Sequence, residues 1–516
     1  MWIKCGIIKK EYESTKEEVL MITYRSTRGG EEGTRASQAI LKGIANDGGL
    51  FVPEYIPEMD FSLSDMKEME YKELAYRVMR LYFADFSKEE LQSCIDGAYD
   101  SKFANDLIAP VNTAGDLKFL ELFHGPTLAF KDMALSILPY LMMTSAKKEK
   151  IDKDVVILTA TSGDTGKAAL EGFANVDGTK IIVFFPQNGV SEIQKRQMIT
   201  QEGENTCVIG INGNFDDAQT GVKNIFADLE FREELDKNGY VFSSANSINI
   251  GRLIPQVVYY FHSYSQLMQD GTLEEGDTMN VVVPTGNFGN ILAAYYAKQM
   301  GLPIGDLICA SNSNKVLYDF FQDGSYDKNR DFNITMSPSM DILISSNLER
   351  LLYYVANDDA ELTKDLMDQL QKQGKYDITS EMKENLIDFY GGYADDVRTQ
   401  EVIKEVYEST GYLMDTHTAV AYAVYEDYKA DRSDSTATVI VSTASPYKFP
   451  SSVMDALDSE AYKETDEFEL VDKMNDIIGG EIPKGIDGLK TRKIEHDIVC
   501  QTNEMAKVIK EFLKLV

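Results

Sequence analysis

Four short runs along the chain are apolar at nearly every position: Val155-Val-Ile-Leu-Thr-Ala160, Lys180-Ile-Ile-Val-Phe-Phe185, Asn280-Val-Val-Val-Pro284 and Ala437-Thr-Val-Ile-Val441. A strand with one wet face alternates apolar and polar residues. Continuous apolar runs instead predict strands buried on both faces, as in a parallel sheet covered by helices. Helical patterns lie between them, such as Gly166-Lys-Ala-Ala-Leu-Glu-Gly-Phe-Ala174 and Ile291-Leu-Ala-Ala-Tyr-Tyr-Ala-Lys298. This alternation predicts an α/β fold. In such sheets ligands gather at the carboxyl ends of the strands, and there three of the runs turn rich in Gly, Ser, Thr and Asn.

The segment 21–112 has another texture. Asn46-Asp-Gly-Gly-Leu-Phe-Val-Pro-Glu54 reads as a turn entering a short extended piece, and charged helices follow to about residue 105, so an accessory N-terminal domain is predicted. Residues 355–410 read as acidic helices, and 451–516 as a helical segment packing on the body. Residues 1–20 are polar, and Met21-Ile-Thr-Tyr-Arg reads like a protein start, so 1–20 are set aside as a non-native or disordered extension.

Composition narrows the partners. With 51 Lys+Arg against 84 Asp+Glu the formal charge is −33. That field repels nucleic acid and anionic membranes, but leaves room for a small basic pocket that takes an anionic substrate. The 5 cysteines are scattered without CxxC spacing, which fits buried thiols in a reduced cytoplasm. The 4 histidines have no metal-ligand spacing, so no metal site is expected. No apolar run approaches the ~18 residues of a membrane helix. The chain reads as cytoplasmic, acting as a monomer or homodimer.

The chemistry concentrates in a few loops. In His124-Gly-Pro-Thr-Leu-Ala-Phe-Lys131-Asp132 a lysine sits among apolar and small residues. Burial disfavours an ammonium and creates a nucleophilic amine suited to a Schiff base, whereas most helix-start lysines simply snorkel to water. Thr159-Ala-Thr-Ser-Gly-Asp-Thr-Gly-Lys167 joins a strand to an Ala-rich helix and offers backbone N–H groups to an anion. A nucleotide P-loop fails there, because only two residues separate Gly163 from Gly166 and Ala168 follows Lys167. Pro284-Thr-Gly-Asn-Phe-Gly-Asn290 lacks the GxGxxG pattern and fits one phosphate better than a dinucleotide. Ser442-Thr-Ala-Ser-Pro446 presents hydroxyls at a strand end, and Ser243-Ser-Ala-Asn-Ser-Ile-Asn-Ile-Gly-Arg252 delivers an arginine beside amides and hydroxyls.

Together these segments closely resemble the threonine synthases, a family of fold-type-II enzymes that use pyridoxal 5′-phosphate (PLP). The resemblance also takes in Tyr24-Arg-Ser-Thr-Arg-Gly29, Asp47-Gly-Gly-Leu-Phe-Val-Pro53, His417-Thr-Ala-Val-Ala-Tyr422 and Pro446-Tyr-Lys-Phe449, and spans about residues 24–450 in the family's order. It implies a tryptophan synthase β-like architecture. A large PLP-binding domain (113–149 and 246–450) and a smaller α/β domain (150–245) would flank a cleft, beside the N-terminal accessory domain.

Carried over by position, the resemblance makes Lys131 the Schiff-base lysine, and Gly286, Asn287, Phe288, Gly289 and Asn290 the loop for the PLP phosphate. Asp164 would stand beside the PLP ring oxygen and Thr443 beside the pyridine nitrogen. Ser162 and Thr165 would contact substrate, and Asn246, Ser247 and Arg252 would hold its phosphate. Three positions depart from the family pattern: Thr416, Lys167 and Ser445, the last beside Thr443. The implied reaction turns O-phospho-L-homoserine and water into L-threonine and phosphate, by γ-elimination and β-addition, with the Lys131 amine moving the protons. Two alternatives stay open. One is another fold-type-II lyase, such as a serine/threonine dehydratase or phospho-amino-acid lyase. The other is a catalytically silent PLP-binding homologue.

Overall fold

The computed structural model describes residues 21–515 except 162, 188 and 189. The expected extension at 1–20 lies outside them. Near the start, β1 (Tyr24–Ser26) and β2 (Phe51–Pro53) pair antiparallel. Next come β3 (Val111–Ala114) and β4 (Leu117–Glu121), then β5 (Asp154–Ala160), β6 (Thr179–Pro186), β7 (Thr206–Ile211) and β8 (Tyr240–Ser243). They are followed by β9 (Met279–Pro284), β10 (Ile304–Ser311), the antiparallel pair β11 (Ser325–Asp327) and β12 (Lys375–Asp377), β13 (Phe389–Tyr393), β14 (Ala437–Ser442) and β15 (Ile498–Cys500). Two sheets carry the body. The larger has the order β13-β10-β9-β14-β4-β3, parallel except for the antiparallel edge β3, and the smaller is the parallel β15-β7-β6-β5-β8.

The four apolar runs are β5, β6, β9 and β14, and each feeds two cores. Val281 and Val283 of β9 join the core around helix Ile250–Gln269, while Val282 joins Ile308, Ile440 and Val420 on the other face. Val155 and Ile157 of β5 likewise face that central core, whereas Val156 and Leu158 meet Cys207, Ile209 and Met505. Each fully buried valine or isoleucine of this kind stabilises by roughly 1.5–3 kcal/mol. No polar alternation survives because neither face meets water.

Three expectations need correction. The tail after 451 is not only helical: β15 extends the smaller sheet, and helix Met505–Phe512 packs beside it. A three-residue strand, half exposed at a sheet edge, carries too little periodicity to read. Within the acidic helices of 355–410, Phe389-Tyr-Gly-Gly-Tyr393 forms the edge strand β13, hidden because two of its five residues have no side chain. The boundary at 112 falls inside β3, which pairs with β4 in the larger sheet.

Helix Ile250–Gln269 is buried along almost its whole length, between the N-terminal helix Tyr71–Tyr82 and the body. The N-terminal segment is also bolted to the body by charge. Thr27 Oγ1 (2.6 Å), Arg28 Nε (2.8 Å) and Arg28 Nη2 (2.7 Å) all donate to the buried Glu349 carboxylate. Among the described residues no helix is long and apolar enough to cross a membrane.

His262, midway along the central helix, is buried edge-on against Tyr71, and neither ring nitrogen has a hydrogen-bond partner among the described residues. Burial pushes its pKa down to about 4, offset only in part by the nearby Leu107 backbone. The folded state therefore refuses a proton that the unfolded chain accepts near pH 6.5. The stability His262 contributes is complete above that value and is lost as pH falls toward 4, on the order of 3 kcal/mol in all. Thermal midpoints of wild type should fall across this window, and those of His262→Phe should fall much less.

Candidate active site

Lys131 is placed by two strands of chain that run side by side. Leu128–Phe130 lies against Thr443–Ser445, with Ala129 bridged to Ala444, Phe130 N donating to Thr443 O (2.8 Å) and Ser445 N to Leu128 O (3.0 Å). Asp132 then clamps the turn, accepting from Thr127 N (2.8 Å) and Thr127 Oγ1 (2.6 Å). The lysine is left at the start of the short helix Asp132–Leu135, only 9% exposed, with Nζ 4.9 Å from the Phe130 ring centroid. Its Nζ lies 3.8 Å from Asp164 Oδ2 and 3.5 Å from Ser339 Oγ.

Asp164 comes from the smaller sheet, at the first turn of helix Asp164–Phe173 after β5. The preceding turn is tied by Thr161, whose Oγ1 accepts from Gly163 N (3.0 Å) and Gly166 N (2.9 Å) and donates to Gly163 O (3.1 Å). Gly163 has φ 147°, a conformation that side chains disfavour, and a Cβ there would strike Gln194 at 2.6 Å. The Asp164 carboxylate accepts from Lys448 Nζ (2.9 Å), Gln194 Nε2 (2.9 Å) and Ser339 Oγ (3.3 Å). Burial alone would raise its pKa, but the ammonium groups of Lys448 and Lys131, with the hydrogen bonds from Lys448 and Gln194, hold it well below the usual carboxylate range. Lys131 moves the other way: burial lowers its pKa, Asp164 partly opposes this, and Lys448 and Arg252 reinforce it.

The loop after β9 turns through Gly286–Gly289 into helix Gly289–Gln299. Phe288, in the left-handed region (φ 63°), is buried against Phe321 and Phe389 and so anchors the turn. Gly286 permits close packing, since a Cβ would lie 2.7 Å from Ser339 O. Asn347 donates to Asn287 O from both its backbone N (3.1 Å) and Nδ2 (2.9 Å), and Ser345 Oγ donates to Gly286 O (2.6 Å). Asn290 is buried; its Oδ1 accepts from Tyr260, and its Nδ2 has no partner among the described residues.

Arg252 enters on the first turn of the central helix. Its Nη1 donates to Ala245 O (2.9 Å), and its buried Nε has no partner among the described residues. Burial brings its pKa down to about 10. Such orphaned buried donors are costly unless an anion completes them. The two donor sets, Asn290 Nδ2 beside a backbone turn and Arg252, therefore fit phosphate groups, and a lysine of suppressed basicity fits the carbonyl carbon of PLP.

Of the positions expected from the sequence, the structure brings Lys131 and Asp164 together directly, and the Gly286 turn reaches both through Ser339. Thr443 joins them through its backbone and is buried, with its hydroxyl unbonded to the described chain. Thr165 is half-buried on the first turn of helix Asp164–Phe173. Asn246 is exposed and Ser247 half-buried; no hydrogen bond among the described residues ties either side chain to the rest. Ser162 lies outside the described residues. Of the departures, Ser445 Oγ accepts from Tyr447 N (3.4 Å), and Lys167 is buried and paired with Glu171 (2.9 Å), away from Lys131's partners.

Several partners escaped the sequence reading. Ser339 sits on the short turn Pro338–Met340, and its backbone N donates to His417 Nε2 (3.1 Å). The other nitrogen of that ring, Nδ1, donates to Asp415 (2.7 Å), which fixes a neutral tautomer. Arg350, fully buried, donates to Phe51 O (2.9 Å), to Ile248 O (2.6 Å) and to Asn347, joining the N-terminal strand to the loop before Arg252 and to the partner of the Asn287 turn. Lys448 stood within Pro446-Tyr-Lys-Phe449, flanked by aromatic and apolar residues much as Lys131 is. That shared context was its only signal.

Residues 23–99 match the family model described as Threonine synthase N terminus, 117–444 that of Pyridoxal-phosphate dependent enzyme, and 418–498 that of Threonine synthase, C-terminal. Threonine synthase of Saccharomyces cerevisiae is 38% identical over 465 residues, covering 84% of this chain and 89% of that protein. The chain belongs to the threonine synthase family. The crystal structure of threonine synthase from yeast superposes with a TM-score of 0.85 at 35% identity, covering 96% of this chain and 99% of that one. The PLP-bound threonine synthase from Brucella melitensis gives 0.83 at 34% identity, with the same coverage of 96% and 99%. The fold-type-II α/β architecture with an N-terminal domain, expected from the motifs, is thus the one observed. Human Threonine synthase-like 1 is 42% identical over 451 residues, and there the chain spans only 59% of the relative's length.

For a threonine synthase family member, the Thr161 hydroxyl should matter out of proportion to its size. Thr161→Val keeps the shape but strands two buried N–H groups, each costing about 1–3 kcal/mol. The thermal midpoint should drop by several degrees, and hydrogen exchange at Gly163 and Gly166 should quicken.

Proposed function

We propose that the protein is a PLP-dependent threonine synthase, converting O-phospho-L-homoserine and water into L-threonine and phosphate. One observation carries this reading: a buried lysine of suppressed basicity shares the molecule with two buried side-chain donors left without a partner among the described residues, Asn290 Nδ2 and Arg252 Nε. The first, with the Gly286–Gly289 turn, suits the cofactor phosphate. The other, Arg252, suits a second phosphate, which a phosphorylated amino acid would bring.

PLP, when bound, supplies an electron sink for negative charge developing on the substrate carbons. The chain's own residues do the rest. Lys131 would hold the cofactor and, freed by substrate, move protons at Cα and Cβ; its suppressed basicity leaves the amine able to accept them. Thr443 would meet the pyridine nitrogen with a neutral hydroxyl, and Asp164 would stand beside the ring. Arg252, with Asn246 and Ser247 on the adjoining loop, would hold the γ-phosphate, and Ser162 and Thr165 the amino-acid end. A dehydratase acting on serine or threonine has no second phosphate to bind, so Arg252 favours the phosphorylated substrate. Release of phosphate and threonine, rather than a ketoacid, tests the choice.

Lys131→Ala should abolish threonine formation in a chain of unchanged thermal midpoint. Borohydride treatment should then no longer fix cofactor to the protein, as mass spectrometry would show. Arg252→Ala removes a charge-assisted contact worth roughly 1.5–3 kcal/mol. Binding of O-phospho-L-homoserine should weaken about 10- to 150-fold, while PLP affinity changes little. Loss of cofactor with intact substrate binding would place Arg252 in the other phosphate site.

A further inference from the structure

Lys448 is the most deeply buried cation near the reactive amine. It is 0% exposed, on the turn Pro446–Lys448 that follows β14, and its Nζ has three partners from three separate elements. It donates to Thr127 O (2.8 Å) in the loop that leads to Lys131, and to Gln197 Oε1 (3.2 Å) on helix Glu192–Ile199. Its third partner is Asp164 Oδ1, at 2.9 Å. Gln197 in turn donates to Gly485 O (3.2 Å) of the C-terminal segment, so the ammonium sits where both sheets and the tail converge.

The charges around Lys131 are Asp164 on the helix after β5, Lys448 on the turn after β14, Arg252 on the central helix and Asp132 beside it. Asp132 is bound twice by Thr127, and burial raises its pKa to about 6. Asp164 is thus the one carboxylate within ion-pair distance of Lys131 among the described residues, and it is shared unequally. Lys448 approaches to 2.9 Å, whereas Lys131 stands off at 3.8 Å.

We propose that Lys448 is a positioning residue for Lys131: its buried ammonium claims the Asp164 carboxylate and leaves the Lys131 amine without a counter-ion of its own. The inference rests on Lys131 being the reactive amine. Without Lys448, the whole carboxylate would turn to Lys131 and a neighbouring positive charge would vanish. Both changes favour the protonated amine, so they add. The assignment also gives a reason for a buried lysine in a string that the family resemblance includes without a role. Lys448 makes the nearby carboxylate tolerable, while keeping it from neutralising the amine that must react.

The test follows the amine itself, in the full-length chain freed of cofactor. The rate at which acetic anhydride modifies Lys131, read by peptide mass spectrometry as a function of pH, gives the midpoint of its titration. Lys448→Gln keeps an amide donor but removes the charge, and it should raise that midpoint by about one pH unit or more. Adding Asp164→Asn to Lys448→Gln should bring the midpoint back toward wild type, because the counter-ion leaves with the cation. An unchanged midpoint in a Lys448→Gln chain of native thermal stability would overturn the proposal, as would a shift that persists in the double variant. If Lys448→Gln fails to fold, Asp164→Asn alone must lower the midpoint, and no change there would equally overturn it. Threonine formation by the wild type is scored separately. An inactive wild type with the predicted shifts would sink the reaction and leave the role of Lys448 standing.

Discussion

One carboxylate shared by two buried lysines is the constraint around which this molecule is arranged. Asp164 stands 2.9 Å from Lys448 and 3.8 Å from Lys131, with each lysine 9% exposed or less. Taking such charges out of water costs several kcal/mol per ion, and only close geometry with further hydrogen bonds offsets it. The further bonds are present: Gln194 and Ser339 reach Asp164, and Thr127 and Gln197 receive Lys448. Since Asp164 rides on the smaller sheet and both lysines on segments of the larger, the cluster fixes how the two meet.

The surrounding architecture holds that cluster in register. The Thr161 hydroxyl shapes the turn before Asp164, and His417 in its neutral form holds the Ser339 turn between the carboxylate and Gly286. The N-terminal segment is part of the same construction. Arg350 joins Phe51, Ile248 and Asn347, so the strand β2, the loop leading to Arg252 and the turn at Asn287 are linked through one guanidinium. Arg28 and Thr27 secure the adjoining Glu349. An N-terminal domain whose own core merges with that of the central helix therefore acts as a brace for the turn at Asn287 and the loop leading to Arg252.

Buried polar atoms without partners tell a complementary story. Asn290 Nδ2 and Arg252 Nε are buried donors with no hydrogen-bond partner among the described residues. Unsatisfied donors at these two places, one beside a backbone turn and one on a guanidinium, are what the proposal of two anion sites rests on. On the proposed function they would also separate a phosphorylated amino acid from a plain one, since only the former would bring a second phosphate besides that of the cofactor.

The sequence alone determined the strands β5, β6, β9 and β14, because burial on both faces writes itself as an unbroken apolar run. It singled out Lys131 and the Gly286–Asn290 turn through local strings, and the structure buries the one beside Asp164 and folds the other as a strand-to-helix turn. It did not reveal β13, where two glycines erase the pattern, nor β15, too short and too exposed at its edge for periodicity. Nor did it assign Lys448, Ser339, Gln197 or Arg350, whose partners lie hundreds of residues away in several cases, as with Lys448 and Thr127 (321 residues apart) or Arg350 and Phe51 (299 apart). A buried charge is legible only through what surrounds it, and here the surroundings are assembled by the meeting of two sheets. The sequence singled out individual groups; the tertiary structure decided which charges they face.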